Sequence, residues 1–387
     1  MLEGKDIVFV SGVDWRSNPS SQIQISLRLG KHNRVLFVNP AVSILTPIKA
    51  VIKGTGYYIP PHKQLSGNIT ILAPRLLPFK DSRFGNRFSR GLRIRQIKDA
   101  MRELNFKDPI LIVGGARPET LGHLGEKLSV YHCNDDYSAG TEYMGVPYDW
   151  LIKREREVLS KVDLVMVVSP RLLEKKSVEH GNVFCVPTGC DAAHFEKAAD
   201  GKVNLPPEIA SIKRPIIGFM GHINNRIDFD LIYDLATLRP NWSFIFIGGP
   251  QPTVDKVKLK RLESLDNIHM LGFKPKEVLP DYVRAFDVCL IPYADDEFNR
   301  SCSPIKLYEY LATGKPTVSI PIPALEEFKE LIYLASGGEE FLDQIERALS
   351  ESDKELQVVR MSVARQNDWN ARAELYSDII QRCLENK

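Results

Sequence analysis

The chain has 387 residues, with 43% hydrophobic and 26% charged side chains and a formal net charge of only +2. This length predicts two domains of a soluble globular protein, because one ordinary core rarely exceeds about 250–300 residues. The near-neutral charge excludes the overall basic character of nucleic-acid-binding proteins, and no apolar run reaches the roughly 20 residues of a membrane-spanning helix. Six cysteines without a CxxC pair indicate reduced thiols, so we expect a cytoplasmic protein.

The chain begins with one strand–helix–strand unit. Residues 6–11 and 34–39 are short apolar runs typical of buried parallel strands, and a helical pattern lies between them. Loops that follow parallel strands line the ligand crevice of an α/β sheet, so Asp14, Trp15 and Arg16 are candidate substrate-binding residues. The alternative is an ordinary solvated loop that Trp15 fastens to the core.

The segment 79–98 has the most uneven charge in the chain. Basic residues outnumber acidic residues seven to one from Lys80 to Lys98, and Phe84, Phe88 and Leu92 recur every four residues on one helical stripe. This combination suits an anionic membrane surface or a lipid diphosphate. The alternative is a helix that packs its phenylalanine stripe against its own core and leaves its arginines in water.

Two further strands are predicted at 109–114 and 127–134, and the second runs into Asp135 and Asp136. Carboxylates at the carboxyl end of a parallel strand face the crevice, where one of them is able to take a proton from a hydroxyl group. Asp135 can instead cap the segment that follows it. We favour Asp136 as the catalytic base and keep Asp135 as the second candidate.

The polar stretch 196–214 contains two prolines and one glycine. This composition predicts a linker between two domains. The second domain opens with an apolar run at 215–221 that ends in Gly221. A glycine at the end of a strand allows a ligand to approach the backbone closely.

The stretch 299–318, NRSCSPIKLYEYLATGKPTV, gives the strongest local signal. A start rich in serine and proline, an apolar helical pattern and a Gly-Lys-Pro stop predict a helix followed by a buried strand. Ser301, Ser303 and Lys306 lie at the start of this helix, where free N–H groups and the helix dipole attract an anion. Glu309 lies one turn further, where a carboxylate can accept hydrogen bonds from sugar hydroxyl groups. These positions suit a nucleotide sugar, and an ordinary helix with a solvated Lys306 is the alternative.

SPIKLYEYLATGKPTVS resembles the donor-site helix of the GT-B glycosyltransferases that build bacterial surface polysaccharides. VYHCNDDYSAG and PTGCDAAHF resemble two further motifs of these enzymes. The resemblance implies an α/β fold, GT-B, in which two Rossmann-like domains with parallel sheets face each other across an interdomain cleft. The implied organisation is an acceptor-binding domain at 1–195, a linker at 196–214, a nucleotide-sugar-binding domain at 215–365, and a terminal helix at 366–387 that crosses back to the first domain.

The resemblance also implies roles for individual residues. In the family, the glutamate that matches Glu309 binds the ribose, and a lysine that matches Lys306 holds the diphosphate. Ser301 stands where many retaining members have a second glutamate, which favours branches such as the polysaccharide glucuronosyltransferases. An aspartate in the region of Asp135 and Asp136 serves as the base in some inverting relatives. The implied donor site comprises Gly221, His222, Arg226, Phe273, Ser301, Ser303, Lys306 and Glu309, and the acceptor side comprises Asp14, Trp15 and Arg16.

The expected function is transfer of a sugar from a nucleotide diphosphate sugar, UDP-linked in our prediction, to a polysaccharide, oligosaccharide or lipid-linked acceptor. No metal or other cofactor is expected, because the adjacent aspartate pairs do not form a DxD pattern. We expect no nucleic-acid partner, and we expect residues 79–98 to contact the inner face of the cell membrane as a peripheral protein of cell-envelope synthesis. Two alternatives stay open: a sugar-nucleotide epimerase or hydrolase on the same fold, and a non-catalytic donor-binding scaffold in a polysaccharide complex.

Overall fold

The computed structural model describes residues 2–16, 20–43, 62–76, 83–199 and 205–387. Within these ranges the chain forms two large β-sheets, and almost every pair of neighbouring strands in them is parallel. Helices alternate with the strands along the chain. This architecture confirms the predicted α/β class.

The first large sheet lies in the N-terminal half of the chain. The strands of this half are β1 (Asp6–Val10), β2 (Arg34–Val38), β3 (Val42–Ser43), β4 (His62–Ser66), β5 (Ile69–Leu72), β6 (Arg75–Leu76), β7 (Ile110–Gly114), β8 (Leu128–Cys133), β9 (Leu164–Val167) and β10 (Val183–Cys185). Among the described residues, eight of them form one sheet in the order β10-β9-β8-β7-β1-β2-β5-β4, and β3 pairs with β6. Alternate residues of β1 enter two separate apolar clusters, Ile7 and Phe9 in one and Val8 and Val10 in the other, because both faces of the sheet are covered.

The helices of this half are α1 (Ser21–Leu29), α2 (Arg83–Glu103), α3 (Thr141–Met144), α4 (Tyr148–Leu159), α5 (Pro170–Ser177) and α6 (Ala192–Phe195). Helix α2 turns a different face inward from the one that the phenylalanine spacing predicted. Phe88 is 62% exposed, whereas Arg93, Ile97 and Ala100 are buried. The alternative of a phenylalanine stripe packed on the core with all arginines in water is therefore wrong at Phe88 and at Arg93.

Parts of the basic segment and of the linker fall outside the described residues. These parts are 77–82 and 200–204, and the side chains of 83–87, Phe84 among them, are also not described. The expected membrane contact of residues 79–98 therefore concerns this structure only from Phe88 onward.

The second sheet comprises β11 (Ile216–Met220), β12 (Ser243–Ile247), β13 (Ile268–Gly272), β14 (Val288–Ile291), β15 (Thr317–Ser319) and β16 (Tyr333–Leu334), in the order β13-β12-β11-β14-β15-β16. The helices of this half are α7 (Pro207–Ala210), α8 (Phe229–Leu238), α9 (Lys256–Glu263), α10 (Leu279–Val283), α11 (Glu297–Arg300), α12 (Ile305–Ala312), α13 (Gly338–Leu349) and α14 (Lys354–Gln366). Helix α12 is the helix that the 299–318 pattern predicts, and Gly314 follows it with a φ of +72°. The carboxyl ends of the parallel strands share one edge of the sheet, which is where ligands bind in such folds.

The last helix, α15 (Trp369–Glu385), packs against the N-terminal domain. Trp369 and Tyr376 are buried in one of the two apolar clusters that contain β1. The amide of Trp369 donates to the carbonyl of Cys190 at 3.0 Å, and the amide of Leu2 donates to Ser377 Oγ at 2.8 Å. These contacts return the end of the chain to the first domain, while the domain bounds given above stay predictions.

Arg360 on α14 is fully buried and contacts the turn that follows helix α12. Its guanidinium makes two hydrogen bonds to the carboxylate of Glu351, at 2.5 and 2.6 Å. It also donates to the carbonyl oxygens of Leu331 at 2.7 Å and Gly314 at 3.3 Å. One side chain thus ties α14 to the loop after α12.

We expect Arg360→Met to destabilise the protein by about 3 kcal/mol or more, because the buried carboxylate of Glu351 would lose its charged partner and keep only the hydrogen bond from Tyr333. The free energy of unfolding in urea measures this effect. The double variant Arg360→Met/Glu351→Leu is the control, and it should recover much of the loss. Equal losses in the two proteins would contradict this explanation.

Candidate active site

A cavity of about 190 Å³ lies at the carboxyl edge of the second sheet. Three of its glycines come directly after strands β11 and β12, which is why the backbone is accessible there. Trp369 and Gln24 close the cavity from the side of the first domain. The second domain contributes Met220, Gly221, His222, Ile247, Gly248, Gly249, Phe273, Lys274, Lys276, Leu279, Ile305 and Glu309 to its lining.

The turn at Gly221 lies directly against Lys306. Gly221 and Gly248 have φ angles of +149° and +146°, which side chains rarely adopt, and a Cβ on Gly221 would clash with the Lys306 side chain. The ammonium of Lys306 donates to the Tyr293 hydroxyl at 2.8 Å and lies 5.0 Å from the ring centre of Phe219. A partly exposed ammonium is thus held against a glycine turn at a strand end, and a positive charge at such a turn is suited to a phosphate.

Arg226 approaches the same tyrosine from another direction. Its guanidinium carbon lies 4.7 Å from the ring centre of Tyr293, and its Nε donates to Asn299 Oδ1 at 2.8 Å. His222 lines the cavity, and burial together with the nearby Lys306 lowers the pKa of its imidazole. The structure therefore brings Gly221, His222, Arg226 and Lys306 together, as the sequence predicted for a donor site.

Glu309 lies in the same cavity, one turn into α12. Burial raises the pKa of this carboxyl to about 7, against the attraction of Lys306 and Lys276. Phe273 stands at the mouth of the cavity with 63% of its surface exposed. Both residues therefore line the same cavity, and their ribose and base contacts stay predictions.

The raised pKa of Glu309 makes a prediction for stability. A carboxyl whose folded pKa lies above its unfolded value of 4.5 costs stability once it is ionised, so the cost is absent below pH 4.5 and complete above pH 7. We expect Glu309→Gln to be more stable than the wild type at pH 8, by up to about 3 kcal/mol, and to lose this advantage as the pH falls toward 4.5. Urea unfolding at pH 5 and pH 8 measures the difference.

Glu330→Gln is the matched control, because Glu330 is exposed in the same domain. Its stability should follow that of the wild type at both pH values. A Glu309→Gln advantage of the same size at pH 5 and pH 8 would show that the change does not arise from ionisation.

Ser301 and Ser303 lie away from the cavity, in contacts between the two domains. The hydroxyl of Ser301 donates to Asp136 at 2.9 Å, and its carbonyl accepts from Ser169 Oγ at 2.6 Å. Ser303 Oγ accepts from the amide of Thr188 at 3.3 Å. Both serines are almost fully buried, so the structure does not bring them together with the other predicted donor-site residues.

Asp136 is enclosed by hydrogen bonds on both carboxylate oxygens. Oδ1 accepts from the amide and hydroxyl of Ser138 and from the amide of Ala139, while Oδ2 accepts from Lys175 and Ser301. Burial alone would raise the pKa of Asp136, but the bonds from Lys175, Ser138 and Ser301 lower it. Lys175 also pairs with Glu297 at 2.6 Å, so this network joins the two domains.

Asp135 has a different environment. Within the described residues its carboxylate makes no hydrogen bond and no ion pair. Part of the surface of Asp135 is exposed to solvent. Burial in the cleft raises its pKa above the ordinary 3.8, against the attraction of Arg226 and with the repulsion of Asp136. Asp135 therefore lies within the electrostatic influence of Arg226 of the second domain, and its carboxylate oxygens accept no hydrogen bond from the described residues.

The predicted acceptor residues lie on the loop after β1. Trp15 packs edge-to-face on Phe37, with ring centres 4.7 Å apart, and its amide donates to Asn39 Oδ1 at 2.9 Å. Asp14 and Arg16 form an ion pair at 3.0 Å. Trp15 thus fastens the loop to the core, and the acceptor-binding role of Asp14, Trp15 and Arg16 stays a prediction.

Three residues of this region were not predicted from the sequence. Tyr293 comes two residues after β14, so the strand-end argument could have identified it as a contact of Lys306. Lys276 lines the cavity and pairs with Asp191 at 3.1 Å, and Lys175 neutralises Asp136. No spacing in the sequence distinguishes these two lysines from other surface lysines.

Comparison with known proteins supports this description of the fold. Residues 214–351 match the family model described as Glycosyl transferases group 1. Sucrose-phosphate synthase from Thermosynechococcus elongatus superposes with a TM-score of 0.74 at 15% identity, over 99% of this chain and 100% of that chain. HepE from Anabaena, in a structure described as a complex with UDP and glucose, superposes with a TM-score of 0.66 at 15% identity, over 97% of this chain and 99% of that chain.

A curated relative from Bacillus subtilis (strain 168), named "Putative teichuronic acid biosynthesis glycosyltransferase TuaH", is 33% identical over 161 residues. The matched segment spans 40% of this chain and 40% of that relative. The chain therefore has the GT-B fold, which confirms the predicted fold class. Residues 214–351 are similar to the Glycosyl transferases group 1 family, and this segment includes the 299–318 stretch whose resemblance implied such an enzyme. No helix among the described residues is both long and apolar enough to cross a bilayer.

Proposed function

We propose that the chain is a glycosyltransferase that moves a sugar from a nucleotide diphosphate sugar, UDP-linked, to a carbohydrate or lipid-linked acceptor. The observation that carries the proposal is a single cavity with the turn at Gly221, against which the ammonium of Lys306 lies, and the carboxyl group of Glu309. A diphosphate needs the first two features, and ribose hydroxyl groups can donate to the third. Phe273 offers an exposed ring for the base. The description of HepE as a complex with UDP and glucose supports the choice of UDP.

The leaving diphosphate gains charge as the glycosidic bond breaks, and Lys306 and Arg226 are placed to stabilise that charge. Both cations contact Tyr293, which keeps them close to each other and to the Gly221 turn. In this proposal the two cations neutralise the diphosphate without a divalent ion.

We assign the role of general base to Asp135 rather than to the Asp136 that the sequence favoured. A base needs a free oxygen atom within reach of the acceptor hydroxyl. Both oxygens of Asp136 are occupied, whereas those of Asp135 accept no hydrogen bond from the described residues. Asp136 and Lys175 then serve to hold the two domains together.

The acceptor enters from the first domain in this proposal, past the loop that carries Asp14 and Arg16. Cell-envelope polysaccharide is the acceptor class that the name of the Bacillus subtilis relative supports. A cytoplasmic location and a peripheral membrane contact through residues 79–98 belong to the same proposal. The exposed Phe88 on basic helix α2 is the structural feature that favours such a contact.

Two measurements on the wild-type protein test the function. Thermal shift with UDP, GDP, ADP, TDP and CMP identifies the nucleotide, and release of nucleoside diphosphate from the matching sugar nucleotide, in buffer with EDTA, reports turnover. Turnover that requires an acceptor supports the proposal. Turnover of the donor alone would indicate the hydrolase or epimerase, binding without turnover would indicate the scaffold, and no thermal shift with any nucleotide would overturn the donor site.

A further inference from the structure

A cluster of three arginines and one glutamate lies at the carboxyl edge of the first sheet. Arg117 follows β7, and its guanidinium lies 3.5 Å from the carbonyl oxygen of Gly12, which follows β1. Arg154 donates through Nε to the carbonyl of Ala116 at 3.1 Å and pairs with Glu119. The cluster thus lies outside the donor cavity, on the opposite domain.

Arg93 brings the third positive charge to this cluster from helix α2. It is only 6% exposed, and within the described part of the chain no group accepts a hydrogen bond from its Nε or Nη2 atoms. Burial, with Arg117 nearby, lowers its pKa to about 10, despite the attraction of Glu119. An unpaired guanidinium is expensive to bury, because its N–H groups lose their hydrogen bonds to water.

Charge within the cluster does not balance. Glu119 is the one carboxylate in it among the described residues, and its negative charge is shared with Arg154. Three guanidinium groups share this one carboxylate, so positive charge is in excess among the described residues. Guanidinium groups with free N–H donors bind the oxygen atoms of phosphates and carboxylates through short, charge-assisted hydrogen bonds.

The cluster lies beside the proposed catalytic base. Strands β8, β7 and β1 are neighbours in the sheet, and adjacent strands are about 5 Å apart. Asp135 follows β8 and Arg117 follows β7, and the partly buried Tyr137 interacts electrostatically with both of them. One ligand can therefore place a hydroxyl group near Asp135 and an anionic group near Arg117.

From this geometry we infer that Arg93, Arg117 and Arg154 form an oxyanion-binding site for the acceptor, which carries a phosphate ester or a uronate carboxylate close to the hydroxyl that is glycosylated. That the bound anion belongs to a glycosyl acceptor rests on the proposed function. The anion site itself does not depend on that function. It narrows the acceptor class from any carbohydrate to an acidic one.

Binding of small probes to the full-length protein tests the inference. In excess UDP, which occupies the donor site, we expect glucose 6-phosphate or glucuronic acid to bind and neutral glucose to bind much more weakly. A preference between the two acids distinguishes a phosphate from a carboxylate. Arg117→Gln should weaken binding of the preferred acid about tenfold or more, since a hydrogen bond between charged groups is lost. Wild-type protein that binds neither acid more tightly than glucose would overturn the inference.

Arg95→Gln is the matched control, because Arg95 lies on the same helix as Arg93 with 81% of its side chain exposed. This variant should bind the preferred acid as the wild type does. A second variant, Arg93→Met, should also bind the acid about tenfold more weakly, with a Tm in the absence of ligand no lower than that of the wild type. A lower Tm with unchanged acid binding would assign Arg93 a purely structural role and contradict the inference.

UDP binding, measured separately, distinguishes failure of this site from failure of the proposed function. If the protein binds the acid, Arg117→Gln weakens that binding and UDP does not bind, the anion site is supported and the proposed glycosyl transfer is contradicted. If UDP binds equally to the wild type and Arg117→Gln but neither protein binds the acid, the donor site is supported and the anion site is contradicted.

Discussion

Replacing Lys306 by alanine is expected to weaken the binding of the nucleoside diphosphate about 10- to 100-fold, because a charge-assisted contact to the diphosphate is lost. Turnover should fall further, by about 10²- to 10³-fold, since the leaving group carries more charge in the transition state than in the donor. Isothermal titration with UDP and the rate of UDP release from the donor sugar measure the two effects.

The ligand itself offers a control for Lys306→Ala. Uridine has the base and the ribose of UDP but no phosphate, so its affinity should be the same in the variant and the wild type. Lys329→Ala is the matched protein control, because Lys329 lies in the same domain with 58% of its side chain exposed and pairs with Glu326. Equal losses for uridine and UDP would point to general damage of the cavity, and an unchanged UDP affinity would contradict the assignment of Lys306.

Much of the donor side could be predicted from the sequence because its signals are local. The stretch around Lys306 and Glu309 contains its own helix start and stop, and Gly221 ends a strand that its apolar run identifies. Carboxyl ends of parallel strands meet at one edge, so residues predicted separately come together in space. The family resemblance then supplied the roles.

The contacts between domains could not be predicted in the same way. Ser301 and Ser303 have the composition of a phosphate-binding helix start, yet Asp136 and Thr188 of the other domain take their hydroxyl groups. Lys175 joins the domains through Glu297, and neither this contact nor its pairing with Asp136, 39 residues away within the first domain, leaves a pattern in the sequence. Pairing across a cleft depends on how two folded domains meet, and no spacing in one chain records it.

The face of helix α2 shows a different limit. The spacing of Phe84, Phe88 and Leu92 predicted one stripe, whereas the buried face includes Arg93 and Ile97. A buried arginine interrupts the apolar pattern by which an inward face is recognised. Exceptions of this kind are expected where a charge is kept for a ligand, which agrees with the inferred anion site.

Asp135→Asn is expected to lower the rate of glycosyl transfer by about 10²- to 10⁴-fold, because the amide cannot take a proton from the acceptor hydroxyl. The change is isosteric and removes no hydrogen bond within the described residues, so UDP affinity should stay close to the wild-type value. Stability at neutral pH should not fall, because the raised pKa of Asp135 means that its ionised form costs stability. Asp136→Asn is the matched control at the neighbouring position. It leaves Lys175 without its buried partner, so we expect a lower Tm together with a smaller loss of rate.

The pH dependence separates a base from a residue that merely shapes the site. A base must be ionised, so kcat/KM should fall as the pH drops through the pKa of Asp135, which burial raises above 3.8. Asp136 has its pKa lowered by Lys175 and its other donors, so its titration falls at lower pH. The residual activity of Asp135→Asn should therefore lack this acidic limb, while that of Asp136→Asn should keep it. An acidic limb that persists in Asp135→Asn and disappears in Asp136→Asn would return the catalytic role to Asp136, and the network with Lys175 would then have to open before the acceptor could be deprotonated.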